Sequence, residues 1–463
     1  MNFTVTFDDP GSQFTAFYPG LTSNLLAAAR RWGEYIDSTA SIEIELGFVV
    51  ENRAIATGGS LTSTFVDVRG GFDVFQSGAA TEIITGIDPN RGRPDIRIDM
   101  SPIDLRTDFW LDPTPEDRSD PVPPRQFDAI STLLHELAHG FGFIGWRDER
   151  GVLPSNFESV FDSFIISRDG LLFFNGPNAV ATYGGPVPLA IGSPYHYGND
   201  PPAPGSDLLD NLEARFASRG AMEDIAPIDV AIVKDLGLPI NSFVGFRTDD
   251  VISGDARNNV IKGLEGSDTL IGNAGDDAID GGTGRDTAVF STRRADSNIT
   301  QNPTGYLIVG PDGADAIVSV ERLQFADFKV SLDLGTGDPG GMTARLIGAA
   351  FDRANLTPSL VGTGVRLFDQ GRAVLDVAQM AIDTDLFASL AGSHGNADFV
   401  NAVYRNIVGL LPTLDVRDSF VRLLQGSGGT MSQAELLLLA AYTPENAANI
   451  DLVGLQTTGV DFI

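Results

Sequence analysis

A nine-residue period between residues 250 and 286 restricts the fold of this chain more than any other feature of its sequence. Every unit begins with an aspartate or an asparagine: Asp250, Asn259, Asp268, Asp277 and Asp286. In the complete units the third residue is apolar and the fifth is glycine, which permits a tight turn. Because a flexible linker has no reason to keep an apolar residue in register, the period predicts short strands that stack their apolar residues inside.

This pattern resembles the repeat-in-toxin (RTX) β-roll, in which each nonapeptide forms a turn and a short strand of a parallel coil. The resemblance implies calcium binding, because aspartate side chains and turn carbonyls are the hard oxygen ligands that Ca²⁺ prefers. The predicted calcium ligands are therefore the residues that begin the units. Residues 299–333 alternate like hairpin strands, so the roll and its flanking strands are expected to span residues 244–335.

A second motif, His135-Glu-Leu-Ala-His139, predicts a zinc site. Apolar residues recur at helical spacing through it, and two histidines four residues apart lie on one face of a helix. Both imidazoles can then reach one Zn²⁺ ion, while Glu136 lies beside that ion and can accept a proton from a water held there. The alternative is a core helix that carries two histidines by chance, but the chain has only 4 histidines in all.

The longer pattern His135-Glu-x-x-His139-x-x-Gly142 resembles the metzincin zinc proteases. In most of that clan the third ligand follows three residues after the glycine, where this chain has Gly145. The leishmanolysin-like metzincins instead have a long insertion before the third histidine, which implies His196 as the third zinc ligand. The resemblance also implies that Gly142 turns the chain under the helix.

Met222, in Gly-Ala-Met-Glu, matches the methionine turn that follows the third ligand in that clan. Acidic alternatives to His196 stay open downstream of the helix, because a glutamate on a following helix serves other zinc peptidase clans: Asp148, Glu149 and Glu158. Tyr195 or Tyr197, adjacent to His196, is a candidate hydrogen-bond donor to the oxyanion. His394 lies in a distant turn and is expected at the surface.

The residues around the zinc motif predict an α+β domain over residues 1–243. An apolar stripe predicts a helix at 23–37, and alternating residues predict strands at 42–48 and 94–100. A short helical signal follows at 157–165. A sheet packed with the zinc helix below it leaves one edge available to an extended peptide.

Residues 342–463 predict an all-α domain, because apolar residues recur there at helical spacing and no charged or histidine cluster suggests chemistry. The region resembles a helical domain of uncharacterised function that is often appended to RTX proteins. Its last residues, 459–463, resemble the acidic and apolar terminus of type I secretion substrates. This second resemblance implies the type I secretion machinery as a partner.

The composition excludes several classes of function. A net charge of −31 argues against nucleic acid and anionic membrane as partners. No run approaches the ~18 apolar residues of a membrane-spanning helix, and the first residues do not resemble a signal peptide. The absence of cysteine is compatible with export as an unfolded chain.

Together these features predict a multidomain protein with an α+β metzincin-like zinc protease domain, a parallel β-roll and an all-α C-terminal domain. The predicted function is a secreted, zinc-dependent endopeptidase that cleaves protein or peptide substrates and is stabilised by Ca²⁺. The rival interpretation is a non-catalytic calcium-binding protein of the cell surface or matrix with a vestigial protease domain. The intact Glu136 favours the enzyme, because a protease domain that has lost its activity has no chemical need for the general base. Either protein is extracellular, whether free or attached to the cell surface.

Overall fold

The computed structural model describes residues 1–49, 55–118, 120–148, 150–190, 193–197 and 219–463, with the backbone alone for 190 and 193–197. Contacts divide the chain into two compact units, Met1–Ser242 and Phe243–Ile463. The chain is a multidomain α+β protein, and its second unit contains both the strand-rich repeats and a helical C-terminal region. The finer division into three domains stays a prediction. None of the described helices has both the length and the apolar composition required to cross a membrane.

The first unit combines helices with several small sheets. Its helices are α1 (Tyr18–Tyr35), α2 (Gly78–Thr85), α3 (Pro102–Thr107), α4 (Ala129–Gly140), α5 (Pro177–Tyr183) and α6 (Pro227–Asp235). Its strands are β1 (Asn2–Asp8), β2 (Ser41–Phe48), β3 (Ala56–Ser60), β4 (Ser63–Arg69), β5 (Phe72–Ser77), β6 (Ile96–Met100), β7 (Phe109–Trp110), β8 (Phe127–Asp128), β9 (Phe157–Ser159), β10 (Ile165–Arg168), β11 (Leu171–Phe174), β12 (Val187–Ala190) and β13 (Ser193–Tyr197).

The sheet next to the zinc-motif helix has the strand order β1-β2-β6-β3. Strands β1, β2 and β6 run parallel, whereas β3 is antiparallel to β6 and forms the edge among the described residues. Helices α1 and α4 pack together through fully buried aromatic rings, since Trp32 and Phe141 meet edge to face at 5.7 Å. The indole of Trp32 also donates to the carbonyl of Leu134 at 3.0 Å, which holds α4 against α1.

Most of the predicted elements of this unit are confirmed. The strands at 42–48 and 94–100 are β2 and β6, and the helix predicted at 23–37 is α1, although it begins at Tyr18. Pro19 accounts for the earlier start, because proline is well suited to the first turn of a helix. The helical prediction for 157–165 is wrong. Its aromatic residues instead favour extended structure, and β9 pairs with β5.

The second unit begins with the repeats and ends with helices. Its strands are β14 (Val251–Ser253), β15 (Val260–Lys262), β16 (Thr269–Ile271), β17 (Ala278–Asp280), β18 (Thr287–Val289), β19 (Asn298–Asn302), β20 (Gly305–Gly310), β21 (Gly313–Val318), β22 (Arg322–Gln324), β23 (Lys329–Ser331) and β24 (Val460–Phe462). Its helices are α7 (Pro339–Phe351), α8 (Pro358–Asp369), α9 (Val374–Ile382), α10 (Asp385–Ala391), α11 (Asn396–Val408), α12 (Leu414–Val421), α13 (Gln433–Ala441), α14 (Pro444–Asn449) and α15 (Leu452–Thr458).

Successive repeats contribute strands alternately to two sheets, and the repeat strands within each sheet are parallel. The strand orders are β14-β16-β18-β22-β23-β24 and β15-β17-β21-β20-β19. The third residues of the repeats are buried between the sheets, as predicted: Ile252, Ile261, Leu270 and Ile279. The predicted hairpin strands of 299–333 are also confirmed, as β19 to β23.

The helical region packs around α7, which is buried along most of its length. One segment departs from the all-α expectation for 342–463, because β24 is a strand that pairs antiparallel with β23. The alternation of apolar and polar residues in β24 explains why it forms a strand. Val460 and Phe462 are buried, whereas Asp461 between them forms an ion pair with Arg294 at 3.0 Å.

Candidate functional site

The zinc-motif helix α4 begins at a buried cap. Asp128 accepts hydrogen bonds from the amides of Ile130 and Ser131, at 3.3 and 3.0 Å, and its carboxylate pairs with the Arg118 guanidinium. Both charged side chains of this pair are almost completely buried, and each would be destabilising there without the other. The cap therefore fixes where α4 starts and which face it turns toward the sheet.

His135 and His139 lie one turn apart on α4 and direct their imidazoles to the same point. Both residues are more than nine-tenths buried, and their Nε2 atoms are 2.9 Å apart. Two nitrogens bound to one tetrahedral Zn²⁺ would be about 3.3 Å apart, so a small movement accommodates the ion. Two lone pairs at 2.9 Å repel each other, and a proton or a cation must therefore lie between the rings.

The turn that ends α4 orients the second histidine. Gly142 has a φ of +110°, and the amides of Gly142 and Phe143 donate to the carbonyls of His139 and Ala138 as in a Schellman motif. This turn brings the Phe143 carbonyl to 2.7 Å from Nδ1 of His139. Because a carbonyl can only accept, Nδ1 carries the proton and the Nε2 lone pair is left to face His135. Burial also lowers the pKa of His139, which favours the neutral form that a metal ligand needs.

Glu136 completes a cluster with the two histidines, since one ligand atom from each residue lies within 4.8 Å of the others. Its carboxylate accepts a hydrogen bond from the amide of Gly58 in β3. A Cβ at position 58 would lie 2.6 Å from the Glu136 Cβ, so only glycine lets β3 approach α4 this closely. Burial raises the pKa of Glu136 to about 8, and the Gly58 hydrogen bond opposes this rise. A divalent cation at the histidines would favour the carboxylate.

The predicted third ligand, His196, belongs to a different element from the zinc-motif helix. His196 lies in β13, whose backbone is described, but its side chain and those of Tyr195 and Tyr197 fall outside the described residues. Position 145, which holds the third ligand in most metzincins, is occupied by a glycine that packs against the Asp162 carboxylate, so a larger residue there would displace that carboxylate. A Cβ on Gly145 would lie 2.3 Å from Oδ1 of Asp162.

The acidic alternatives receive no support among the described residues, where Glu136 is the one carboxylate grouped with the histidines. Glu158 forms an ion pair with Arg147 at 3.0 Å, and Asp148 accepts hydrogen bonds from the amides of its own turn. Glu149 lies outside the described residues. His394, in the helical region, is exposed as predicted.

Met222 lies in a segment that is attached to the zinc-motif helix. The amide of the next residue, Glu223, donates to Oγ of Ser131 at 2.7 Å, and the Glu223 carbonyl accepts from the same Oγ at 3.1 Å. Ser131 is one helical turn before His135. The segment predicted as the methionine turn therefore contacts α4 near the histidines, while the role of Met222 itself stays a prediction.

The residues that begin the repeats form two columns of hydrogen bonds. In column 1 each backbone amide donates at 2.8 to 2.9 Å to the next member's carboxylate, in the order Asp250, Asp268, Asp286 and Glu321. Column 2 follows the same rule at 2.8 to 2.9 Å, in the order Asn259, Asp277 and Asp315. Each repeat is thus held to the repeat after next, which is its neighbour in the same sheet.

In three of the buried carboxylates of the columns, one oxygen makes no hydrogen bond to a described residue. The Oδ2 atoms of Asp268, Asp277 and Asp286 are buried and have no hydrogen-bond partner among the described residues. Burial raises the pKa of Asp286 to about 6, and neighbouring carboxylates add to the rise. Burial raises the pKa of Asp315 to about 6 for the same reasons. Oxygens that are buried, negatively charged and without a partner are suited to bind Ca²⁺.

Asp315 and Glu321 end the columns and were missed by the sequence-based prediction. Both follow the rule of the repeats, in which an acidic residue stands two positions before a buried apolar one, here Ile317 and Leu323. That spacing, without the glycines, is the signal that could have identified them.

Residues 245–288 match the family model of the RTX calcium-binding nonapeptide repeat, in 4 copies. The chain therefore carries RTX repeats, which indicate calcium binding and suggest an extracellular or secreted protein. This match lies entirely in the second unit, so the metzincin resemblance of the first unit stays a prediction.

No curated protein is similar enough to the chain to serve as a relative. Among solved structures, the chain has a partial similarity to the extracellular lipase LipA from Serratia marcescens. That match is 20% identical, covers 17% of this chain and 14% of the lipase chain, and has a TM-score of 0.11. A similarity of this extent says nothing about the fold or the activity of the whole chain.

Proposed function

We propose that the chain is a secreted zinc-dependent endopeptidase whose RTX repeats are stabilised by calcium. The observation that carries this proposal is the 2.9 Å approach of the His135 and His139 Nε2 atoms beside the buried carboxylate of Glu136. Two imidazoles that face one point, with the tautomer of His139 oriented by the Phe143 carbonyl, and an adjacent base are the donor set that a hydrolytic zinc site requires. His196 supplies the third ligand in this proposal.

In the proposed mechanism, each residue of the site has a separate role in peptide hydrolysis. When bound, Zn²⁺ polarises the substrate carbonyl and lowers the pKa of water, which makes attack at neutral pH feasible. His139 is held in its ligand tautomer by the Phe143 carbonyl. Glu136 accepts the proton of the attacking water at its carboxylate and passes it to the leaving amine. The Gly58 hydrogen bond holds that carboxylate in position between the two transfers.

The edge strand β3 is the proposed binding surface for the substrate. It lies at the end of the sheet order and touches α4 at Glu136 through Gly58. An extended peptide that adds to such an edge makes main-chain hydrogen bonds, so its scissile bond is presented to the zinc cluster without strict sequence preference.

The test is hydrolysis of casein by the full-length protein, combined with metal analysis. Glu136→Gln should keep zinc and lose turnover by about 10²- to 10⁴-fold, because it removes only the general base. His139→Ala should lose zinc and activity together, and His394→Ala is the matched control that keeps both. Activity that persists in Glu136→Gln, or in protein stripped of zinc by a chelator, would contradict the proposal.

The second candidate is a non-catalytic calcium-binding protein of the cell surface or matrix. The match to the RTX repeats favours it, because that match supports calcium binding independently of the first unit. Both candidates include export by a type I secretion machinery. A purified wild-type protein that binds calcium, lacks zinc affinity and cleaves no peptide would favour this candidate.

A further inference from the structure

Three carboxylates come together in the first unit, away from the zinc motif in sequence. Glu43 lies on β2, Glu82 lies on α2, and Asp95 directly precedes β6. One oxygen from each lies within 4.8 Å of the other two. Neither the RTX repeats nor the zinc-motif cluster uses any of these side chains.

Asp95 is the fixed centre of this acidic cluster. It is fully buried, and its Oδ2 accepts the backbone amide of Glu43 at 2.9 Å. Its Oδ1 accepts the side-chain amide of Asn90 at 2.7 Å. The Asp95 amide in turn donates to the Glu43 carbonyl at 2.8 Å, so the start of β2 and the entry to β6 are tied to each other.

Glu82 brings one oxygen without a described hydrogen-bond partner into the cluster, although the backbone amide of Ser41 interacts with the same carboxylate. The residue is only 5% exposed, yet its Oε2 is buried and has no hydrogen-bond partner among the residues that the structure describes. A buried carboxylate oxygen without a donor is strongly destabilising, and a second and third carboxylate nearby increase the penalty. The Oδ1 of the adjacent Asn90 is also buried without a described partner.

Neighbouring carboxylates make it harder to ionise the three carboxyl groups of the cluster. Burial raises the pKa of Glu43 to about 7, with Asp95, Glu82 and Asp88 adding to the rise. Burial also raises the pKa values of Glu82 and Asp95. The charged neighbours that raise these pKa values are all carboxylates, while the groups that oppose the rise at Glu82 and Asp95 are hydrogen-bond donors such as the Ser41 amide and Asn90.

We infer that Glu43, Glu82 and Asp95 bind a Ca²⁺ ion, at a site separate from both the RTX columns and the zinc motif. The donors are all oxygen, which excludes the nitrogen- and sulfur-rich coordination typical of Zn²⁺. Three carboxylates can supply up to six oxygens, and Glu43 is only half-buried, which leaves an entry path and room for water.

This ion would stabilise the frame of the zinc motif. It joins β2, α2 and the start of β6, and the first residue of β6, Ile96, lies against Gly140 at the end of α4. A Cβ on Gly140 would approach Ile96 to 2.6 Å, so a displacement of β6 would be transmitted directly to the turn that orients His139.

Native mass spectrometry of the full-length protein in calcium acetate tests the inference by counting bound ions. Glu82→Gln and Glu43→Gln preserve shape and remove charge, and each should bind one Ca²⁺ fewer than the wild type. Glu45→Gln is the matched control, because Glu45 lies two residues along the same strand and pairs instead with Arg97. Equal counts in the wild type and in Glu82→Gln would overturn the inference.

A second measurement locates the ion in the first unit. All three tryptophans, at positions 32, 110 and 146, belong to that unit, so tryptophan fluorescence follows its unfolding without the RTX repeats. Calcium at a hundredfold excess over its Kd should raise the fluorescence-detected Tm of the wild type by about 5 to 10 °C. Glu82→Gln should lose this shift.

The alternative is a carboxyl pair that shares a proton without any metal, and it gives a different result. Glu43→Gln and Glu82→Gln would then stabilise the first unit near neutral pH, while calcium would move the wild-type and variant Tm equally or not at all. Either pattern would overturn the inference.

Discussion

The RTX repeats should respond to pH in opposite directions with and without calcium. Asp286 and Asp315 are buried, and their pKa values rise from 3.8 to about 6 when the calcium-free roll folds. A tenfold change in proton affinity corresponds to about 1.4 kcal/mol, so each carboxyl destabilises the folded roll by about 3 kcal/mol once it is ionised. The two residues belong to different columns, so their effects should add, and the total approaches the whole stability of a typical domain.

The raised pKa values determine the direction in which the stability of the roll changes with pH. A carboxyl whose folded-state pKa exceeds its unfolded value contributes stability that is complete below about pH 4 and is lost as the pH rises through about 6. The calcium-free roll should therefore be most stable in mild acid and marginal near neutral pH. With Ca²⁺ bound the order reverses, because the ion requires ionised carboxylates and protons compete with it.

Hydrogen–deuterium exchange, corrected for the intrinsic pH dependence of exchange, measures this effect locally in the full-length chain. Peptides that cover 250–290 should gain protection from about pH 7.5 to about pH 5 in chelator and lose it over the same range in calcium. Asp286→Asn should increase protection in chelator near neutral pH by about 3 kcal/mol, whereas Asp280→Asn, which removes only one of the neighbouring charges that raise the pKa of Asp286, should increase it by much less. Protection that is independent of pH in chelator would refute the reasoning.

Four further predictions concern the zinc site, the core of the roll and export. His196→Ala should lose most bound zinc and nearly all hydrolysis but keep calcium-induced folding of the repeats; loss of zinc from Glu158→Ala instead, by metal analysis, would contradict the ligand assignment. Gly142→Ala should destabilise the first unit by about 1 to 2 kcal/mol, by tryptophan-detected unfolding, and weaken zinc binding at least tenfold as the Phe143 carbonyl moves. Leu270→Ala should destabilise the roll by about 2 to 5 kcal/mol and raise the calcium concentration at half-folding, measured by circular dichroism. Deletion of 404–463 should retain the protein in cells that express a type I exporter, and undiminished secretion would remove that partner.

The repeats could be predicted from the sequence because their contacts are periodic. The apolar residue at the third position of each nonapeptide repeats in register and can be buried only between the stacked strands, and Ile252, Ile261, Leu270 and Ile279 are all inside the roll. The ends of the columns could not be predicted in the same way. Asp315 and Glu321 join the columns through strands without the glycine pattern, and only the pairing of β21 and β22 with repeat strands brings them there.

In the candidate zinc site, too, the local features could be predicted and the contacts between distant segments could not. The spacing of His135 and His139 on a helix is local, so their convergence was predictable, as was the turn at Gly142. The Gly58 hydrogen bond was not, because it depends on an edge strand that meets α4 only after the sheet has formed. The acidic cluster of Glu43, Glu82 and Asp95 was invisible for the same reason, since its members come from three separate elements.

The two hydrogen-bonded columns give the roll two rows of charge that differ in density. Column 1 is acidic at every position, from Asp250 to Glu321, whereas column 2 begins with the neutral amide of Asn259. Coupling passes between nearest neighbours within a row, so each row behaves as a short one-dimensional array with its own threshold. Because a site with more carboxylates binds Ca²⁺ more tightly, column 1 should become ordered at a lower calcium concentration than column 2, so calcium should order the roll in two steps and not in one.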